Sequence, residues 1–163
     1  MRQFEGISDF VMLSLYAGER EDLVQAGGGN SSVKTPNGEM LIKVSGIQLS
    51  EISESYGFVR VNYRLIRDFL STVNHGKVVS EQDTVHLMKE SVLGEGRPSI
   101  ETFLHAITER FTLHTHPVVV NALTCRKNGS AVLKELFPRS LIIPYATPGI
   151  ELAINYIQEF SSV

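Results

Sequence analysis

The sequence predicts an α/β domain whose sheet is mostly antiparallel. The dipeptide Asn37-Gly38 separates two extended segments, 33–35 and 40–44, which is a strong short-range signal of a β-hairpin. A third segment, 56–63, is rich in aromatic and β-branched residues, as strands are. Apolar residues recur with helical spacing along much of the remaining chain, so helices alternate with the later strands and a layered architecture is expected.

The same patterns assign the other elements in chain order. Amphipathic spacing predicts helices over 7–24, 49–53, 64–73, 81–93, 118–124, 131–137 and 150–160. Alternation, or a short apolar run, predicts two further strands over 111–116 and 141–145. A helix is also expected to begin at Ser99, a favourable N-cap residue that follows Pro98. Cys125 lies in no motif and is predicted to be buried as a small apolar side chain.

The composition is that of an ordinary globular domain and argues against several classes of function. With 42% hydrophobic and 20% charged residues and a net charge of −3, the chain offers no electrostatic basis for binding nucleic acid or an anionic membrane. No apolar run approaches the roughly 18 residues that a membrane-spanning helix needs, and the first residues contain no signal-peptide core. A single cysteine permits no internal disulfide, which fits a cytoplasmic location.

Two histidines on the predicted strand 111–116 are the first candidates for a functional site. Successive strand side chains point to opposite faces, so His114 and His116 are expected to project from the same face. Imidazole is the commonest metal ligand, and two imidazoles placed in this way can supply half of a metal site. A pair of histidines bonded to solvent at a sheet edge is the alternative interpretation. Pro117 then ends the strand, because it has no N–H to give to a ladder.

A carboxylate shortly before these histidines is the third candidate. Glu101 lies in the predicted first turn of the helix that begins at Ser99, where the helix dipole favours a negative charge. A glutamate at such a position is also common where it has no function. Glu101, His114 and His116 fall within 16 residues of one another, however, and this proximity favours the metal interpretation.

A glycine-rich loop follows the first predicted helix. Within the segment 25–34, three consecutive glycines precede Asn30, Ser31 and Ser32. Consecutive glycines let the backbone approach a ligand closely, and such a loop can hold a phosphate or carboxylate with its N–H groups. The loop has neither the lysine of a P-loop nor the glycine spacing of a dinucleotide-binding motif. An ordinary flexible turn is therefore the competing interpretation.

Taken together, these segments resemble the class II aldolase and adducin N-terminal domain family. The matching segments are, in order, Gly29-Asn30-Ser31-Ser32, the turn Ser45-Gly46, Ser99 to His105, His114-Thr115-His116 and Tyr145 to Leu152. Each is weak alone, but five in the family's order across residues 5–160 form a specific pattern. The resemblance implies a class II aldolase-like sandwich of three layers (αβα) around a mostly antiparallel sheet, formed by a single domain over residues 1–163.

The resemblance also implies a metal-dependent chemistry. In this family a divalent metal, typically zinc, polarises the carbonyl of a ketose phosphate and stabilises the enediolate formed when a carbon–carbon bond breaks. His114, His116 and Glu101 match the metal ligands, and Glu101 also matches the catalytic acid/base. The positions that match the substrate's phosphate site are Gly28, Gly29, Asn30, Ser45, Gly46 and Ser99. The implied activity is that of a lyase acting on a phosphorylated sugar, with His105 as a structural residue.

The match is incomplete towards the C-terminus. The family's third histidine ligand lies in an Asn-His-Gly turn beyond the segment that matches 145–160, whereas this sequence ends at Val163. The same three letters at 74–76 precede Glu101, so the role is not transferred, and His75 and His86 are only remote substitutes. The resemblance therefore implies a domain that is truncated at its C-terminus and binds metal weakly.

Two other functions stay open. An adducin-like module would keep the fold for binding or assembly without catalysis, and a family epimerase or decarboxylase would use the same enediolate chemistry. The segment from Ser99 to Ala106 resembles the branch in which an aldolase-like domain is fused to a dehydrogenase. The expected partners are a small sugar phosphate and further copies of the same chain, as in the family's tetramers, with neither nucleic acid nor membrane.

Overall fold

The computed structural model describes residues 4–73 and 79–161, and it contains one four-stranded sheet within them. The strands are β1 (Asn30–Lys34), β2 (Glu39–Lys43), β3 (Phe58–Asn62) and β4 (Phe111–His114). Their spatial order is β3-β2-β1-β4, and the three neighbouring pairs are all antiparallel. The mostly antiparallel sheet that the sequence predicts is therefore confirmed.

Seven α-helices surround this sheet in the described part of the chain. They are α1 (Ile7–Gly18), α2 (Tyr63–Thr72), α3 (Glu81–Ser91), α4 (Thr102–Ile107), α5 (Val118–Thr124), α6 (Gly129–Leu136) and α7 (Ile150–Phe160), with a short 3-10 helix at Leu49–Glu51. None of these helices is both long and apolar enough to cross a membrane. The predicted turn at 74–77, with His75, lies outside the described residues.

The helices form two layers, one on each face of the sheet. On one face α1 packs against Val33 and Leu41, with Phe10 at the centre of the contact. On the other face α2, α3, α4 and α7 cover Met40, Ile42 and the inner side of β3 in a second apolar cluster. The three-layer αβα sandwich is therefore confirmed. Helices α5 and α6 pack mainly against each other.

Strand β1 carries polar side chains to both layers, although it is fully buried. Ser31 faces α1, where its hydroxyl lies 2.7 Å from that of Ser14. Ser32 faces α4, where its hydroxyl hydrogen-bonds to Nδ1 of His105 at 2.8 Å. Because strand side chains alternate, Asn30 and Lys34 share the α4 face with Ser32. The sheet therefore presents a row of buried polar groups to α4.

Several local predictions are wrong. Residues 30–32 belong to β1 and not to a loop, and α4 begins at Thr102 with Glu101 as its N-cap residue, so Ser99 lies before the helix. The apolar segment 141–145 forms no strand, because no described strand pairs with it, and the Tyr145 side chain is 94% exposed. Cys125 is exposed rather than buried.

Candidate functional site

The two candidate histidines lie together at the end of β4. The strand ends at His114, and the backbone N–H of His116 donates to the carbonyl of Leu23 at 2.8 Å. The chain turns after the strand at this contact, but the imidazole rings of His114 and His116 still lie next to each other. Their centroids are 4.7 Å apart, and the two Nε2 atoms are separated by 3.0 Å.

Helix α4 brings the carboxylate of Glu101 to the same place. Oε1 of Glu101 lies 3.1 Å from Nδ1 of His114, and both side chains are largely buried, with 18% and 26% exposed. The Nδ1 atom of His114 is itself inaccessible to solvent, and its approach to the carboxylate lacks the alignment of a hydrogen bond.

The surroundings set the charge of this cluster. Burial favours the neutral form of Glu101, but the neighbouring His114 and Asn30 side chains outweigh it and lower the pKa of the carboxyl. Burial, together with the neighbouring His114, lowers the pKa of His116, although Glu101 acts in the opposite direction. The cluster therefore favours an ionised Glu101 carboxylate beside a neutral His116 imidazole, which are the forms that bind a metal ion.

The geometry of the three side chains fits a divalent cation. One ligand atom from each of Glu101, His114 and His116 lies within 4.8 Å of the other two. Two nitrogens bound to one tetrahedral zinc at about 2.0–2.1 Å would be about 3.4 Å apart, close to the 3.0 Å found between the two imidazoles. Two histidines and a glutamate also form the protein ligand set of known catalytic zinc sites.

The glycine loop packs against these histidines at van der Waals distance. A side-chain carbon at Gly28 would lie 3.1 Å from Nδ1 of His116. At Gly29, where φ is +75°, it would lie 2.6 Å from Cγ1 of Val24 and 2.9 Å from the carbonyl oxygen of His114. These two glycines are therefore required for the loop to lie directly beside the metal candidates.

Most hydrogen-bonding groups of this loop are already engaged. The N–H of Gly28 donates to the carbonyl of Gln25 at 3.0 Å, and that of Ser31 donates to Oδ1 of Asn30 at 2.9 Å. The hydroxyls of Ser31 and Ser32 bond within the core, as described above. The N–H groups of Gly28 and Ser31 and the hydroxyls of Ser31 and Ser32 are therefore not free to hold a phosphate. Asn30, only 1% exposed, instead contacts the carboxylate of Glu101.

The remaining phosphate candidates are Ser45, Gly46 and Ser99. Ser45 and Ser99 line a cavity of about 800 Å³ that none of the three metal candidates lines. The N–H of Ser45 donates to the carbonyl of Arg97 at 3.2 Å. Gly46 has φ +92° and open space around it. The six predicted phosphate residues therefore fall into two groups, one beside the histidines and one beside this cavity.

A buried lysine, which the sequence reasoning missed, connects these two groups. Lys43, at the end of β2, is 2% exposed, and its ammonium donates to the carbonyls of Ile47 at 2.7 Å and Gly27 at 3.3 Å. Burial lowers its pKa, while the charges of Glu101 and Glu51 oppose that shift. The available signal was a lysine ending an otherwise apolar strand, Met40 to Ile42, since burying its charge requires partners.

A second buried histidine supports the cluster from α4. His105 is fully buried, its Nδ1 bonds to Ser32, and its ring centroid lies 6.4 Å from that of His114. Its Nε2 has no hydrogen-bond partner among the described residues. Burial lowers the pKa of His105 to about 3, so the ring is neutral in the folded protein. The other candidate, His86, lies on α3 beside Glu90 and outside the cluster.

Comparison with known proteins identifies the family. The family described as Class II Aldolase and Adducin N-terminal domain matches residues 11–162. The chain belongs to this family. A domain titled the N-terminal class II aldolase domain of a conserved protein from Thermoplasma acidophilum is 27% identical and superimposes with a TM-score of 0.79, covering 100% of this chain and 78% of that one.

Two further proteins are similar to this chain, one in sequence and one in fold. YuxG of Bacillus subtilis (strain 168), described as an uncharacterized oxidoreductase, is 26% identical over 161 residues, which cover 91% of this chain but only 23% of that protein. This chain therefore spans about a quarter of that relative. YgbL of Escherichia coli, described under the alternatives aldolase, epimerase and decarboxylase, shares the fold with a TM-score of 0.63 at 16% identity, over 95% of this chain and 69% of that one.

Proposed function

We propose that this domain is a metal-dependent class II aldolase-like lyase that acts on a phosphorylated sugar. The observation that carries the proposal is the convergence of Glu101, His114 and His116 on one point, directly beside the glycine loop. These elements come from three separate parts of the chain, α4, β4 and the segment before β1. A divalent cation, with zinc as the first candidate, would be held by these three side chains.

The proposed chemistry divides between the cation and the protein. When bound, the cation polarises the substrate's carbonyl and stabilises the negative charge that develops as the adjacent carbon–carbon bond breaks. Glu101, ionised before the reaction, would accept a proton from the substrate carbon in the direction of bond formation and return that proton to the carbon in the direction of cleavage. For this role the carboxylate would have to be free of the cation while substrate is bound. Asn30, which contacts the carboxylate, orients it for the transfer.

The proposed phosphate position lies next to the two loops that Lys43 connects. Its ammonium joins the glycine loop to the turn that contains Ser45 and Gly46. A buried positive charge between these loops favours an anion bound near them. As the family resemblance implies, two groups of residues would contact the phosphate. The group beside the metal candidates is Gly28, Gly29 and Asn30, and the group beside the cavity is Ser45, Gly46 and Ser99.

The proposal is tested by hydrogen exchange into dihydroxyacetone phosphate, which isolates the proton transfer from the choice of aldehyde. The purified chain is incubated with this compound in D₂O with zinc, cobalt or manganese, and the loss of one C3 hydrogen is followed by proton NMR. Here a C–H bond beside the carbonyl breaks, the proton passes to Glu101, and a deuteron returns. We expect stereospecific exchange that requires the metal.

Matched variants separate the assigned roles. Glu101→Gln should abolish exchange while the fold persists, whereas Glu135→Gln, on the exposed side of α6, should have no effect. Metal-dependent exchange that survives in Glu101→Gln would refute the assigned proton carrier. Absence of exchange in a protein that binds one metal ion would favour the adducin-like role. Dihydroxyacetone phosphate has neither a carboxyl group nor a stereocentre, so a decarboxylase or an epimerase would be identified with other substrates, by release of carbon dioxide from a phosphorylated sugar acid or by inversion of a sugar centre.

A further inference from the structure

The cavity that Ser45 and Ser99 line lies between α3 and the segment 94–100. Its volume is about 800 Å³, within the range of pockets that enclose organic ligands of drug size and far more than one phosphate group needs. One wall is apolar, formed by Val85, Met88 and Val92 from the α3 side and by Ile100 and Phe103 from the α4 side. Val85 and Ile100 remain 61% and 58% exposed, so the wall is open to an incoming ligand.

The rim of this cavity is polar and positively charged. Ser45 and Ser99 lie there, together with Lys89 and Arg97, and no acidic side chain is among its lining residues. In the described residues, neither the Lys89 ammonium nor the Arg97 guanidinium has an ion pair or a hydrogen bond. An apolar wall beside two cations and two serine hydroxyls is complementary to a ligand that is anionic at one end and apolar at the other.

The position of Ser99 relates this cavity to the proposed active site. Ser99 lines the cavity and also bonds to the start of α4, where its carbonyl accepts from the N–H of Thr102 at 3.1 Å. Glu101, the proposed proton carrier, lies two residues further along the same segment. A phosphate bound by Ser45 and Ser99 would therefore lie at the cavity, beside the segment that carries Glu101.

We infer that the substrate is a phosphate ester whose phosphate carries an aromatic or apolar substituent that occupies this cavity. The inference rests on the proposed function, because it places the phosphate at Ser45 and Ser99 and the reacting carbons at Glu101. It narrows the substrate class from simple sugar phosphates to sugars joined through a phosphodiester or diphosphate to a larger group. The apolar wall contributes affinity in proportion to the area of the substituent that it buries.

The test compares two phosphate esters that differ only in their apolar group. Phenyl phosphate and methyl phosphate are titrated into the full chain by calorimetry, in EDTA so that metal binding does not contribute. We expect phenyl phosphate to bind at least about tenfold more tightly, because the ring leaves water for the apolar wall. Equal affinity for the two esters, or no binding of either, would overturn the inference.

Two pairs of variants test whether the esters bind in this cavity. Val85→Glu places a negative charge on the exposed apolar wall and should remove the preference for the phenyl ester, whereas Val119→Glu, at a comparably exposed position on α5, should retain it. Arg97→Gln should weaken both esters several-fold, and Arg126→Gln, exposed and outside the cavity, should weaken neither. A phenyl preference that survives in Val85→Glu would also overturn the inference.

These results are independent of the test of the proposed function. Proton exchange into dihydroxyacetone phosphate requires the metal cluster and not the apolar wall. Exchange without a preference for the phenyl ester would support the proposed lyase activity and refute the proposed larger substrate. A preference for the phenyl ester without exchange would support the proposed ligand class and refute the lyase activity.

Discussion

Asn30 on β1 is the cross-strand partner of His114 on β4, and this pairing connects the glycine loop to the candidate metal cluster. Because the two residues are directly opposite in an antiparallel ladder, the residues before Asn30 must continue alongside those after His114. Gly28 therefore comes to lie against His116, and the carbonyl of His114 lies against Gly29. The register of one strand pair thus determines which loop borders the site.

The first prediction concerns Gly29. Alanine at this position must adopt a left-handed backbone, which costs about 1–2 kcal/mol, and its side chain would also collide with Val24 and with the carbonyl of His114. We expect Gly29→Ala to lower the free energy of unfolding by more than that amount and to weaken metal binding, because it displaces His114. Urea denaturation and metal titration measure the two effects.

Gly46→Ala is the matched control for that prediction. Gly46 also has a positive φ, +92°, but no atom lies within 4 Å of the added carbon. The control should therefore show only the backbone cost and unchanged metal affinity. Equal losses of stability and of metal binding in the two variants would contradict the proposed packing of the loop against the histidines.

The second prediction concerns the buried ammonium of Lys34. Lys34 Nζ donates to the carbonyls of His105, Thr108 and Glu109, at 2.5, 2.7 and 2.8 Å, and so completes the hydrogen bonding at the end of α4. Lys34→Met should lower the free energy of unfolding by about 2–4 kcal/mol, because it removes three hydrogen bonds from a charged donor, although threonine hydroxyls still donate to the carbonyls of His105 and Glu109. Urea denaturation provides the measurement.

Lys134→Met is its control. The Lys134 ammonium makes one long bond of 3.4 Å to the carbonyl of Ser140 and is exposed at the surface. Its loss should change the free energy of unfolding by less than about 0.5 kcal/mol. If the two variants were equally stable, Lys34 would not support α4.

The third prediction concerns acid sensitivity caused by His105. Its pKa falls from 6.5 to about 3 on folding, chiefly through burial, with His114 and Lys34 adding to the shift and Glu101 opposing it. Between these two values the unfolded chain binds one more proton than the folded chain. Stability therefore rises with pH in this window and is lost as the pH falls below 6.5, at a rate approaching about 1.4 kcal/mol per pH unit.

The variant His105→Gln removes this proton and should reduce the slope between pH 6.5 and 5, a range above the usual titration of carboxyl groups, while the slope due to His116, whose pKa burial also lowers, remains. His86→Gln, at an exposed position on α3, should leave it unchanged. Unfolding in urea at several pH values gives the slopes. A full slope in His105→Gln would show that another group causes the acid sensitivity.

The sheet and most helices could be predicted from the sequence, because their signals are local. The Asn37-Gly38 turn fixes the hairpin, and the helical spacing in 118–124 and 150–160 predicts α5 and α7 within the observed bounds. The segment 141–145 was mispredicted because an apolar run gives no information about whether a partner strand exists. The first part of β1, residues 30–32, was missed for the converse reason, since its buried serines have partners on distant helices.

The histidine pair could be predicted from residue type and spacing. Contacts that depend on how distant segments pack together could not. The spacing of His114 and His116 placed their rings together, although the strand itself ends before His116. The engagement of Ser31 and Ser32 in the core could not be inferred, because it depends on α1 and α4 lying on opposite faces of β1. Lys43 was missed because its partners are backbone carbonyls, which no side-chain pattern reveals.

The central claim is that Glu101, His114 and His116 form one metal site, and calorimetric titration of the chain with zinc tests it most directly. We predict one zinc ion per chain, with the affinity lowered at least about tenfold in His114→Gln, in His116→Gln and in Glu101→Gln, and unchanged in His86→Gln. The contrary result would be zinc binding that is absent from the parent chain, or that is equally strong after both histidines of the cluster are replaced.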